Sequence, residues 1–164
     1  MEIKKEIVIN RPADEVWEVL GNQFSAAHKW ARSLKHSEGY GEPQLQHAHC
    51  NNRACDTTQG KIKEVIKSFD PNHYKLSYEV IEGFPFFVKS GVNTWQLTPQ
   101  GSTTKVNVHL VIQTGGIFGM VMAPMMKIQM NSLLEGVMQD LKHYVEMGKP
   151  SPTKAKELAK FAVA

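Results

Sequence analysis

The chain has 164 residues, 41% of them hydrophobic and 21% charged, which suits one domain with its own core and is unlike a disordered protein. The formal net charge is +3, but the lysines are scattered and do not form the basic, aromatic-rich patch that nucleic-acid binding requires. Two cysteines are too few for a disulfide scaffold, and residues 1–10 carry charges where a signal peptide is apolar, so we expect a cytoplasmic protein.

The first part of the chain predicts one strand followed by two short helices. Residues 3–10 are rich in isoleucine and valine, as strands are. Residues 11–21 contain a proline suited to a first helical turn and end with a glycine that can stop a helix. Residues 24–34 are predicted to form the second short helix.

Alternating runs separated by turn residues predict a sheet in the middle of the chain. The predicted strands are 61–69, 74–81, 86–97 and 104–112, with a further strand within 49–56. The links between them are short enough for hairpins, so we expect the sheet to be antiparallel.

A long helix follows, because hydrophobic residues recur at helical spacing from Met130 onward. Pro124 is expected either to kink this helix or to mark its start. The apolar stretch 115–126 is too short to span a bilayer, so no integral membrane segment is predicted. Residues 1–148 are interpreted as the domain and residues 149–164 as a C-terminal linker with a short helical tail.

Residues 47–56, HAHCNNRACD, contain two histidines, two cysteines and an aspartate, which raises the question of a metal site. A structural zinc site usually shows two close ligand pairs, whereas Cys50 and Cys55 are five positions apart and the chain has no other cysteine. In a strand over 49–56, this odd spacing also places the two cysteines on opposite faces. We therefore predict neither a metal site nor a cofactor.

The same stretch predicts a cross-strand ion pair. If residues 57–60 form a tight turn, Cys55 lies opposite Ile62 and Arg53 lies opposite Glu64. On the strand over 61–69, lysines occupy the face opposite to Glu64 and mark it as the solvent side. Arg53 and Glu64 should therefore point inward. Buried charges need partners. Two interpretations stay open: a structural ion pair that closes one end of the core, or a pair that meets the polar group of a ligand.

Seven of the eight methionines lie between residues 120 and 147. Methionine adapts to irregular apolar surfaces, so the cluster favours a cavity wall, although core packing explains any single methionine as well. Tyr78 shares a strand face with two apolar residues and should point inward, while the orientation of Trp95 stays open. The predicted ligand-binding residues are Trp30, Arg53, Glu64, Tyr78, Trp95, Met122, Met126 and Met130.

The sequence FPFF, residues 84–87, lies at a predicted hairpin. It is either an exposed apolar tip for transient membrane contact or a group of aromatic side chains that closes the end of the sheet. The first interpretation leaves the rings exposed and the second buries them. We favour closure.

Several segments together resemble one known superfamily. INRPADEVWEVLG, RACDTTQGKIKEVIKSFDPNHYKLSYEVIEG and GVNTWQLTPQGSTTKVNV are similar to the START-like (Bet v 1-like, SRPBCC) superfamily, in particular to its polyketide cyclase/dehydrase and lipid-transport branch. The resemblance covers roughly residues 3–148. It implies an α+β helix-grip fold, in which a curved antiparallel sheet of six or seven strands wraps around a long C-terminal helix, with two short helices after the first strand. Residues 39–52 are longer and more polar than the link expected there, so the pocket mouth should differ.

Because this superfamily is functionally diverse, three functions stay open. The first is binding or transport of a hydrophobic or amphipathic small molecule, such as a lipid, polyketide or quinone-like compound, between the sheet and the C-terminal helix. The second is a polyketide cyclase or dehydratase reaction in the same cavity, where Arg53, Glu64, Tyr78, His28 or His109 could supply acid–base groups, although His109 should face solvent. The third is a protein-interaction module, which predicts a filled cavity and a conspicuous surface patch. We expect a monomer or homodimer.

Overall fold

The computed structural model describes residues 1–162, in which seven antiparallel strands form one curved sheet. The strands are β1 (Glu2–Ile9), β2 (Leu34–Tyr40), β3 (Asn52–Thr57), β4 (Gly60–Asp70), β5 (Lys75–Glu82), β6 (Val88–Gln100) and β7 (Thr103–Thr114). Their order along the sheet is β1-β7-β6-β5-β4-β3-β2, so every pair but β1 and β7 joins chain neighbours. The predicted antiparallel sheet is confirmed.

Helical segments accompany the sheet within residues 1–162. They are α1 (Ala13–Trp17), a 3-10 segment (Phe24–Lys29), α2 (Gly116–Met147) and α3 (Pro152–Ala162). A π-helical turn extends α1 over Glu18–Asn22, and there the backbone of Gly21 lies so close to the Trp17 ring that a Cβ atom would collide with it. The predicted order of one strand followed by two short helices is confirmed.

The sequence does not predict strand β2, and its second helix over residues 24–34 is wrong beyond Lys29. Ser33 adopts a positive φ of 69°, which turns the chain, and Leu34 then begins β2. The segment has few residues that favour strands by themselves. It is extended because it pairs along β3, so tertiary pairing decides its structure.

The core lies between one face of the sheet and the C-terminal part of α2. Trp95 and Val108 lie on that face and are buried, and Leu134 and Leu141 of α2 belong to the same apolar cluster. The orientation of Trp95 that the sequence left open is therefore inward. Full burial of one leucine contributes about 1.5–3 kcal/mol to folding, so this contact holds the helix on the sheet.

Helix α2 begins at Gly116 and passes through Pro124 without ending. Of the two roles predicted for Pro124, that of helix start is therefore wrong. Within residues 1–162, no helix is both long enough and apolar enough to cross a membrane.

Helix α3 is tied to the domain through buried polar groups. The carboxylate of Asp140 on α2 accepts hydrogen bonds from Arg32 Nε at 2.8 Å and from the hydroxyl of Ser151, just before α3. Lys154 of α3 is buried and donates from Nζ to the carbonyl oxygen of Leu34 at 2.6 Å, and burial lowers the pKa of its ammonium group. The last two residues of the predicted tail, 163–164, lie outside the described residues.

Candidate functional site

Arg53 and Glu64 form a buried ion pair at the β3–β4 hairpin. The predicted register is confirmed: Thr57 pairs with Gly60, and Arg53 pairs with Glu64. Arg53 Nε lies 2.6 Å from Glu64 Oε2, and the two residues are only 5% and 4% exposed. Burial disfavours the charged guanidinium, but the Glu64 carboxylate outweighs it and raises the pKa of Arg53 above its ordinary value. Arg53 is therefore a fixed cation.

Aromatic rings enclose the Arg53 guanidinium. Its Cζ atom lies 3.8 Å from the ring centroid of Phe24 and 5.1 Å from that of Tyr78. Arg53 Nη1 also donates to the carbonyl oxygen of Phe24 at 2.8 Å. The ion pair is thus held by the 3-10 segment as well as by the hairpin, which favours the structural interpretation left open by the sequence.

The two cysteines are free thiols and both are buried. Cys55 Sγ donates to Glu64 Oε2 at 3.4 Å, and burial raises the pKa of Cys55 to about 12. The predicted strand over 49–56 begins only at Asn52, so Cys50 precedes it and the opposite-face argument does not apply. Within residues 1–162, no three histidine, cysteine, aspartate or glutamate side chains are grouped as metal ligands.

Tyr78 occupies the polar centre of the inner sheet face. Its hydroxyl oxygen accepts hydrogen bonds from Asn93 Nδ2 at 2.9 Å and from Trp95 Nε1 at 3.3 Å. Burial raises the pKa of Tyr78, so the hydroxyl keeps its proton at neutral pH. The hydroxyl hydrogen has no acceptor within residues 1–162, and Asn93 Oδ1 is a buried oxygen without a partner there. A hydrogen-bond donor and an acceptor therefore lie unused side by side.

Along the strands, the inner face of the sheet changes from a buried row to a partly exposed row, and Gly91 and Ile112 in the row beyond are buried again. Leu76, Trp95 and Val108 form one row across β5, β6 and β7, and all three are buried. Tyr78, Asn93 and Leu110 form the next row on the same face, and all three are only partly buried.

Helix α2 shows the same change on the side that faces the sheet. We call residues 116–131 the open half and residues 132–147 the packed half. Met122, Met126 and Met130 of the open half are spaced four apart, in line with buried Leu134 of the packed half, yet all three are only partly buried. We interpret these partly exposed inward side chains on both helix and sheet as the lining of a cleft between them, here called the cleft.

The structure brings together only part of the predicted site. Arg53, Glu64, Tyr78 and Trp95 form one connected group. Trp30 lies in the packed core, where its side chain belongs to the apolar cluster. The three predicted methionines, Met122, Met126 and Met130, lie on the open half of α2.

Phe24 and Asn93 contact this group, but they are not among the residues predicted from the sequence. Asn93 alternates with Gly91 and Trp95 on β6, and a polar residue on an otherwise apolar face is a signal that could have identified it. Phe24 carries no comparable signal, because its position depends on how the 3-10 segment returns over the sheet.

A separate surface groove of about 470 Å³ lies at the C-terminal end of α2. It is lined by Asp14, Glu15, Glu18, Val19, Gln23, Tyr144, Val145 and Gly148. Three carboxylates in an open groove are a poor match for an apolar ligand, whose sites are mostly apolar and concave. The cleft is the better candidate.

Comparisons with known proteins agree with this architecture. The fold resembles that of a START superfamily protein from Mycobacterium smegmatis (TM-score 0.71, 17% identity, 88% of this chain and 97% of that chain covered). It also resembles norcoclaurine synthase from Thalictrum flavum (0.68, 15%, 88% and 93%) and the di-domain ARO/CYC protein BexL (0.70, 14%, 88% and 47%). Likeness at this level of identity concerns the fold alone, and it confirms the predicted helix-grip architecture.

The sequence itself supplies the family assignment. No curated protein matches the chain. The family model described as polyketide cyclase / dehydrase and lipid transport matches residues 1–146, which is most of the chain. This protein therefore belongs to the polyketide cyclase/dehydrase and lipid transport family, as the resemblance of its sequence segments implied.

Proposed function

We propose that the chain binds a hydrophobic or amphipathic small molecule in the cleft. The observation that carries the proposal is the pairing of partly exposed apolar side chains, with Leu110 on the sheet and three methionines on α2. Ligand sites of this kind are concave and mostly apolar, with a few fixed polar groups. A lipid, polyketide or quinone-like compound would place its apolar body against the methionines. We also infer a cytoplasmic location, in keeping with two free thiols.

The polar end of the ligand would lie at Tyr78 and Asn93. A ligand hydroxyl group could accept a hydrogen bond from the Tyr78 hydroxyl and donate one to Asn93 Oδ1, and so satisfy both unused groups. An aliphatic or aromatic ligand without such a group would leave both groups unpaired. The site therefore favours an apolar molecule that ends in a hydroxyl or a protonated acid.

Binding is better supported than acid–base catalysis. Arg53 and Glu64 satisfy each other and are shielded from the cleft by burial, and His109 lies on the outer sheet face beside Glu2. Tyr78 remains at the cleft, and its raised pKa makes it a hydrogen-bond donor rather than a base. His28 contacts the Ser37 hydroxyl on β2, and burial lowers the pKa of its imidazole.

A cyclase or dehydratase reaction is the second candidate, favoured by the description of the family itself. Such a reaction would need little beyond a shaped cavity and one acid. Tyr78 is the residue that could supply this acid. If Tyr78→Phe abolished turnover of a polyketide-like substrate but left the affinity for that substrate unchanged, the protein would be a cyclase or dehydratase.

A protein-interaction module is the third candidate and would require a filled interior. The rows of the sheet beneath the packed half of α2 are filled, in agreement with it. Tyr78, Asn93 and Leu110 are only partly buried, which is why we place ligand binding first.

Native mass spectrometry of the purified protein tests the proposal first. A ligand carried through purification would add mass that organic extraction removes. The second step compares binding of 2-naphthol and 2-methylnaphthalene, which differ only in the hydroxyl group that Tyr78 and Asn93 should recognise. We expect 2-naphthol to bind about tenfold more tightly, and we expect Tyr78→Phe to remove this preference.

The matched control is Tyr74→Phe, which removes a hydroxyl that bonds to Asp14 on α1, away from the cleft. This variant should keep the preference for 2-naphthol. Equal binding of both compounds by the native protein, or no binding of either, would contradict the proposed site.

A further inference from the structure

The outward side of the open half of α2 is apolar and exposed. Ile117, Val121 and Ile128 are 83%, 70% and 73% exposed. Phe118, Met120 and Met125 are also exposed large hydrophobic residues, and so is Phe86 in the loop before β6. These seven residues are here called the apolar face: Phe86, Ile117, Phe118, Met120, Val121, Met125 and Ile128.

On α2, the apolar face is confined to the open half and centres on one side of the helix. Ile117, Val121, Met125 and Ile128 follow one another at intervals of four and three, so they share a side of α2. In the packed half, the next residues on that side are Ser132, Glu135 and Gln139, and all three are exposed. The helix thus has an ordinary polar surface where it is packed and an apolar surface only where it is open. Core packing does not explain exposed apolar residues.

The loop before β6 joins this surface and holds it in place. The Phe118 ring lies 5.4 Å from that of Phe86 and 5.2 Å from that of Phe87, between centroids. The amide of Gly115 donates to the Phe87 carbonyl oxygen at 2.8 Å, which anchors the start of α2 to the loop. Phe84 instead packs over Gly91. Phe84 therefore closes the sheet end, as the favoured interpretation predicted, while Phe86 points outward.

Only positive charge surrounds the apolar face. Between Glu82 and Glu135 the sequence contains no aspartate or glutamate, but it contains Lys89, Lys105 and Lys127, of which Lys105 is paired with Glu6 at the far end of β7. Lys127 is exposed on the open half, and the Lys89 side chain lies over Gly115 at the start of α2.

The acidic residues nearest to this region are already paired. Glu82 lies 2.8 Å from Lys63, and Glu135 lies 2.8 Å from Lys5. Glu2, opposite Val111 at the same end of the sheet, is paired with Lys4. The local field at the apolar face is therefore positive.

We propose that the apolar face docks on the surface of a bilayer that contains anionic lipids. A helix with one apolar side and flanking lysines lies in the interface plane of a membrane, with its apolar side chains at the acyl boundary. Lys89 and Lys127 have no ion-pair partner among residues 1–162, and anionic headgroups would supply the negative charge. A second copy of this chain fits less well, because it would bring further lysines, and the next carboxylate on that side of α2, Glu135, is already paired with Lys5.

The docked position would also serve the proposed function. The apolar face and the methionines of the cleft lie on opposite sides of the same half-helix, so a ligand leaving the cleft would emerge beside the bilayer. Docking stands on different observations, namely exposure and charge. It is therefore testable whether or not the cleft binds a ligand.

Co-sedimentation with phosphatidylcholine vesicles, with and without phosphatidylglycerol, tests the proposal on the full chain. We expect binding only to vesicles that contain phosphatidylglycerol, and weaker binding at high salt. Val121→Glu and Ile128→Glu should each lower this binding at least about tenfold, because a carboxylate must then enter the interface. Lys127→Gln should lower it about fivefold.

The matched control is Gln139→Glu, which adds the same charge on the same side of α2 in the packed half. It should bind vesicles like the native protein. Ile128→Glu should leave 2-naphthol binding unchanged, which separates this test from that of the cleft.

Three outcomes would overturn the proposal. One is equal binding to both kinds of vesicle, and another is equal loss in Ile128→Glu and Gln139→Glu. The third is a dimer in sedimentation velocity that Ile128→Glu dissociates, without vesicle binding by the native protein. That result would assign the apolar face to a second copy of the chain.

Discussion

The two halves of α2 belong to one continuous helix but differ on both sides. In the packed half, Leu134 and Leu141 are buried against the sheet and Glu135 and Gln139 face solvent. In the open half, the inward methionines are only partly buried and the outward side is apolar. A helix that served only to stabilise the fold would repeat the first pattern along its whole length. We therefore attribute stability to the packed half and propose recognition for the open half.

The largest effect should come from the ion pair beneath the 3-10 segment. Glu64→Gln leaves the Arg53 guanidinium buried without a countercharge, and we expect the free energy of unfolding to fall by about 3–5 kcal/mol in urea denaturation. The double variant Arg53→Met, Glu64→Met should recover most of this loss, because it removes both charges. A loss below about 1 kcal/mol in the single variant would place the pair in contact with water or a ligand.

Truncation of inward side chains compares the two halves directly. Leu141→Ala should lower the free energy of unfolding by about 2–5 kcal/mol, because it opens a cavity in a filled core. Met126→Ala should lower it by about 1 kcal/mol or less, because its side chain already borders the cleft. Equal losses in urea denaturation would mean that the open half is packed as tightly as the other.

The sequence predicts the sheet well where short-range patterns decide it. The turn at residues 57–60 and the alternation beside it fix the register that brings Arg53 opposite Glu64, because a shift of one residue would turn every side chain to the other face. The same argument places Tyr78 inward. Strand β2 escapes prediction because its extended form depends on β3 as a partner and not on its own residues.

The candidate site is predicted less completely than the fold. Spacing shows that Met122, Met126 and Leu134 share one side of α2, but the distance between this side and the sheet depends on packing of the whole domain. That distance decides which of these side chains line a cleft. Trp30 shows the same limit, since it is predicted as a ligand-binding residue and the packing of the domain places it in the core.

The smallest expected effect concerns the Cys55 thiol, which lies beside Glu64. An unfolded cysteine loses its proton near pH 9, whereas Cys55 in the folded protein keeps it to about pH 12. Between these values the folded state binds more protons than the unfolded state, so the contribution of this thiol to stability falls as pH rises.

Urea denaturation at pH values below and above about 9 measures the contribution of the thiol to stability. The native protein should lose about 1 kcal/mol more than Cys55→Ala when the pH is raised one unit above that value. An identical pH dependence in both proteins would show that the thiol is not shielded. Thiol reagents should likewise react slowly with the folded chain.

The methionine methyl groups offer the most direct test of the cleft, because NMR can follow all of them while 2-naphthol is added. We predict shifts for Met122, Met126 and Met130, which face the cleft, and unchanged signals for Met138 in the packed half. Shifts confined to Met120 and Met125, on the outward side, would show that the compound binds the surface and would contradict a ligand site between helix and sheet.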